Sequence, residues 1–114
     1  MNQKEKCMFE RKSDAGYRQV LPGIRQKTLV HGEKTLMVEF LLDKGALLPV
    51  HSHPHEQTGY LVSGRIRLSI GENKQEVLPG DSWCIAGGAE HNAEILEDSV
   101  AIEVFSPVRK EYLP

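Results

Sequence analysis

Residues 65–70 read Arg-Ile-Arg-Leu-Ser-Ile, three polar side chains alternating with three aliphatic ones. A period of two marks a strand with one face on a core and the other toward water. Ser63-Gly64 on one side and residues 71–74, Gly-Glu-Asn-Lys, on the other are turn signals. Outward from this segment the pattern repeats. Residues 35–42 (TLMVEFLL), 58–62, 76–78, 83–85 and 100–105 (VAIEVF) are rich in β-branched and aromatic residues. They are punctuated by Pro22-Gly23, His31-Gly32, Asp43-Lys44-Gly45, Pro79-Gly80-Asp81 and Gly87-Gly88. None sustains a helical stripe over three turns, so the expected fold is all-β, an antiparallel sandwich or barrel.

The 114 residues make one domain, and 39% apolar residues suffice for its core. Lys plus Arg is 14 against 16 Asp plus Glu, a net charge of -2. No basic field exists to hold a phosphate backbone or an anionic membrane, so neither nucleic acid nor membrane is an expected partner. Residues 1–12, MNQKEKCMFERK, contain no apolar run long enough for a signal or a span, so a cytoplasmic location is expected, with Cys7 and Cys84 as reduced thiols. Residues 1–27 show no clear period and are expected to form an arm or edge strand, with the barrel over 28–114.

Three of the five histidines, His51, His53 and His55, fall within five residues. In an extended segment, side chains at i and i+2 share a face, so His51 and His53 can converge on one atom. His51 and His55 have the i, i+4 spacing of a helical zinc motif, but Pro54 forbids that helix. A metal site needs further donors, and the downstream candidates are Gln57 and His91. Gly59, on the face of Gln57, is expected to leave open volume for a small molecule to reach the metal. His55 and His31 are read as non-ligands.

Glu103 is a carboxylate on a strand otherwise apolar, costly to bury unless it is paired or working. Arg109, past the Ser106-Pro107 turn, is the nearest cation in sequence. It can pair with Glu103 or hold a substrate carboxylate in a bidentate fork.

Gly45, His51, His53 and Gly64 match the first motif of the cupin superfamily, G-x5-H-x-H-x(3,4)-E-x6-G, with Gln57 in place of the usual Glu. Gly80, Gly88 and His91 match its second motif, with Ala86 at the proline position. The sequence thus resembles a cupin. That resemblance implies a small jelly-roll β-barrel (a double-stranded β-helix), usually a homodimer, with one divalent metal held by His51, His53, Gln57 and His91. HSHPHEQTGYLVSG, followed later by AIEVFSPVRKEYL, is most similar to the small cupins of pectin degradation, the KdgF type. Members of that type convert cyclic 4,5-unsaturated uronates to the linear keto form.

Their acid-x-F-x-x-x-R pattern falls on Glu103, Phe105 and Arg109, with Glu103 one methylene longer than the usual Asp. The implied enzyme binds a small sugar acid. The resemblance assigns Glu103 to proton movement, Arg109 to the carboxylate and Phe105 to the wall. Three imidazoles and an amide leave full charge on the metal, favouring a Lewis acid, with zinc, nickel, manganese or iron all compatible. A metal-anchored sensing module and a metal-dependent dioxygenase are the rival expectations.

Overall fold

A computed structural model describes residues 8–114. Eight strands follow one another: β1 (Arg18–Leu21), β2 (Ile24–His31), β3 (Leu36–Leu42), β4 (Leu47–His51), β5 (Glu56–Ile70), β6 (Asn73–Val77), β7 (Ser82–Ile85) and β8 (His91–Ser106), before a 3-10 turn at Lys110–Tyr112. They form one antiparallel sheet in the order β1-β2-β3-β8-β5-β6, with β4 also pairing β8 and β7 also pairing β5. The architecture is the all-β jelly-roll barrel. Among the described residues no helix is long and apolar enough to cross a membrane.

The barrel is organised by its two longest strands. Residues 58–62 and 65–70 are not separate strands joined by a turn at Gly64; they form the single strand β5, and Gly64 is a bulge within it. Gly64 adopts φ +91°, and a Cβ there would overlap Ser99 and the backbone carbonyl of Asp98 on β8. Glycine is required on both counts. Strand β8 also extends well before residue 100, so that His91 and Phe105 belong to one strand.

The boundary expected between residues 27 and 28 falls inside β2, whose Ile24 is buried. Cys7 lies outside the described residues, and Cys84 is an exposed free thiol. Alternation along β5 and β8 points Leu61, Ile66, Ala93, Ile95 and Ala101 into one core cluster. Leu36, Val38 and Phe105 make a second. Full burial of such a large aliphatic or aromatic side chain contributes roughly 1.5–3 kcal/mol. Both clusters lie on the inner face that carries the site.

Candidate metal centre

His51 ends β4 and His91 opens β8, and the β4–β8 ladder pairs these two residues directly. His53 follows in the loop between β4 and β5. The turn before β8 is pinned onto that loop by a hydrogen bond from the Gly88 amide to the His53 carbonyl, 2.8 Å. Gly87 permits the approach, since a Cβ there would overlap the Pro54 carbonyl oxygen. The backbone thus gathers three imidazoles whose ligand nitrogens all lie within 4.8 Å of one another.

Each ring is oriented the same way. His51 Nδ1 lies 2.9 Å from the Pro49 carbonyl, His53 Nδ1 3.0 Å from that of His55, and His91 Nδ1 3.0 Å from that of Ala89. A carbonyl only accepts, so each Nδ1 carries the proton and donates, leaving Nε2 as a bare lone pair in the neutral ring. His91 is only 2% exposed, and its Nε2 is buried without a partner. His53 Nε2 faces Gln57 Oε1 at 2.9 Å. Two lone pairs so close repel each other unless a proton or a metal cation lies between them. Burial lowers the pKa of His53, aided by the nearby Arg109 charge, and burial lowers that of His91, which favours the neutral form in which an imidazole can bind a metal. The donor set fits a divalent transition metal.

His31, at the end of β2, and His55 are not among the three clustered rings. His55 stands beside them, its ring 5.7 Å from that of His53.

Next to the imidazoles lies a cavity lined by Gln57, Trp83, Glu103, Phe105, Arg109 and Tyr112. Glu103 Oε1 accepts hydrogen bonds from Gln57 Nε2 and, at 3.1 Å, from Trp83 Nε1. Burial raises the pKa of Glu103, opposed by these two bonds and by the charge of Arg109. The ion pair considered between Glu103 and Arg109 does not form. Arg109 instead donates from Nε to Glu111 at 2.5 Å, and its guanidinium lies 4.2 Å from the Tyr112 ring centroid and 5.4 Å from that of Phe105. Phe105, 1% exposed, packs 5.8 Å from the His53 ring and forms part of the cavity wall.

Gly59 does face inward, but it does not leave open volume: the Trp83 indole occupies the space a side chain would take. Trp83 and Tyr112 are the site residues that the sequence reading did not single out. A signal for Trp83 existed in the strand Ser-Trp-Cys-Ile, where a large aromatic ring alternates with two small residues that prove exposed.

A cupin domain signature matches residues 38–106. The structure of KdgF from Halomonas sp. is 33% identical, with a TM-score of 0.87, and the alignment covers 92% of this chain and 99% of that one. An RmlC-like cupin from Shewanella frigidimarina is 24% identical, with a TM-score of 0.88, 93% of this chain and 96% of that chain being covered. A predicted oxalate decarboxylase from Thermotoga maritima is 16% identical, with a TM-score of 0.77 and coverage of 89% and 100%; these last two show the fold alone. No curated protein sequence matches the chain.

Proposed function

The chain belongs to the cupin family, and on that premise we propose that it is a metal-dependent enzyme that linearises 4,5-unsaturated uronates. The observation that carries this reading is a cavity lined by Glu103, Phe105 and Arg109 beside three convergent imidazoles. The likeness to KdgF supports the substrate class.

His51, His53, His91 and Gln57 would hold a divalent ion, which would supply Lewis acidity when bound. The chain's own residues do the rest. Arg109 gives its Nε to Glu111 and turns the remainder of its fork to the substrate carboxylate. Phe105 sets the ring against the wall and excludes water. Glu103 moves the protons: the anomeric hydroxyl loses one as the bond from the anomeric carbon to the ring oxygen breaks, and that oxygen takes one to become an enol. The enol then gives up its proton while C4 gains one, so the product is an isomer and nothing is added or lost. A carboxyl whose pKa is raised by burial holds its proton more firmly than a solvated one and so can give as well as take one. On the same reading the protein is cytoplasmic and works as a homodimer, its outer sheet face offering exposed Met37, Tyr60 and Val62.

Unsaturated galacturonate mixed with metal-loaded protein should lose its ultraviolet enol absorbance faster than in buffer. Glu103→Gln should lower kcat by roughly 100-fold or more with metal content unchanged. Absence of any acceleration refutes the assignment. A ligand that raises Tm and is recovered unchanged replaces it with sensing, and oxygen consumption replaces it with a dioxygenase.

A further inference from the structure

We propose that Trp83 is a positioning residue: its indole crosses over Gly59 to fix Glu103 by Oε1, leaving Oε2 as the oxygen that exchanges protons. This rests on the reading of Glu103 as the proton-moving group. Gly59 on β5 is paired on one side with Trp83 of β7 and on the other with Glu103 of β8. The three residues therefore share a face, in the order Trp83, Gly59, Glu103. Neighbouring strands lie about 4.8 Å apart, so a group on β7 must span about 9.6 Å to reach the strand beyond its neighbour. Only a long side chain lying over the middle strand covers that distance, and only where the middle residue has no Cβ. A Cβ at Gly59 would overlap Trp83 Cε2, Cζ2 and Nε1, the edge of the indole that carries its N–H.

That N–H donates to Glu103 Oε1 at 3.1 Å, and Gln57 Nε2 donates to the same oxygen. Two donors on one oxygen settle which carboxylate atom is held. An indole N–H only donates, so Trp83 can neither accept nor relay a proton, and its action on the reaction passes through the placement of Glu103. A ring present only to fill space has no need to aim its N–H at a carboxylate. Gly59 is thereby explained as the gap through which the arm passes.

Trp83 is the chain's only tryptophan, so nitrogen-15-labelled protein gives one indole N–H resonance, a direct probe of this bond. In the full chain, Glu103→Ala and Glu103→Leu should move that resonance upfield and speed its exchange with water about tenfold, the loss expected when one hydrogen bond is removed. Trp83→Phe keeps most of the packing and removes the donor. It should lower kcat on unsaturated galacturonate about tenfold, with KM within about twofold and zinc content unchanged. An indole resonance that ignores the loss of Glu103 overturns the proposal, and so does a Trp83→Phe enzyme with wild-type kcat. If the wild-type protein does not act on unsaturated uronates, the functional reading falls by itself, and the indole resonance still decides whether Trp83 holds Glu103.

Discussion

Loading the three-histidine centre with zinc should raise the unfolding temperature by about 11 °C, and His91→Ala should abolish that rise. Free metal at 100 times Kd stabilises a one-site protein by about 2.7 kcal/mol. Unfolding entropy of about 2.1 cal/mol/K per residue, over 114 residues, gives about 0.24 kcal/mol/K, and the quotient is the predicted shift. The metal-free variant is the informative control. His91 Nε2 is buried without a partner, a cost of about 1–3 kcal/mol that alanine relieves, while the lost ring leaves a small cavity that costs a similar amount. Metal-free His91→Ala should therefore lie within about 2 kcal/mol of the metal-free wild type. His31→Ala should keep the full metal increment, because His31 lies outside the cluster. Thermal melts of chelator-stripped protein, with and without zinc, nickel, manganese or iron(II), make the comparison. Equal increments in wild type and His91→Ala, or no increment with any of the four metals, would refute convergence of these nitrogens on a cation.

Gly64→Ala should cost at least about 2 kcal/mol more than Gly45→Ala in urea denaturation. Both residues have positive φ, worth about 1–2 kcal/mol to a side chain, but only at Gly64 does a Cβ also meet the neighbouring strand. Phe105→Ala should cost about 3–5 kcal/mol, read from the same midpoints, since the ring joins the second core cluster to the cavity wall. Metal-free protein should lose stability as pH falls below about 6.5, because His53 and His91 bind protons more weakly folded than unfolded; their contribution is complete above that pH and drains away through their lowered folded values. Glu103, with a raised value, acts in the opposite sense, so the loss should be steeper in a Glu103→Gln background; a midpoint flat between pH 8 and pH 5 in that background refutes the assignment.

The fold was legible where one face of a strand is uniformly apolar, as in residues 65–70, and obscure where inward positions are polar. Strand β2 turns Ile24, Gln26 and Thr28 inward, and Gln26, 1% exposed, hides the period that would have revealed the strand. Gly64 was misread because positive φ serves turns and bulges alike, and only the partner strand decides between them. His51 and His53 announce themselves by local spacing. Trp83 does not, since its role depends on two register pairs that bring β7 and β8 to either side of Gly59. The arginine was expected near Glu103, but Glu111 and two aromatic rings, all within six residues of it in sequence, compete successfully for the guanidinium.

The imidazole cluster and the acid cavity coincide only because the β5–β8 ribbon closes on itself. At one end of that ladder Gln57 pairs Phe105, and at the other Ile70 pairs His91. Thirteen steps of β5 separate the two ends, which in a flat strand at about 3.3 Å per residue is about 43 Å. Yet the His53 ring lies 5.8 Å from Phe105 and 5.0 Å from His91, touching both ends at once. The ladder slips register between Leu61 and Ile66, with Gly64 at its middle, and a bulge bends the strand that carries it. Ser99 sustains the bend from the opposite strand: its hydroxyl accepts from the Arg65 amide at 3.0 Å and donates to the Glu97 carbonyl at 2.7 Å, satisfying backbone groups that the slipped ladder leaves without partners. The Gly64 bulge and the Ser99 hydroxyl that braces it thus lie in the ribbon whose two ends carry Phe105 and His91 to the same imidazole.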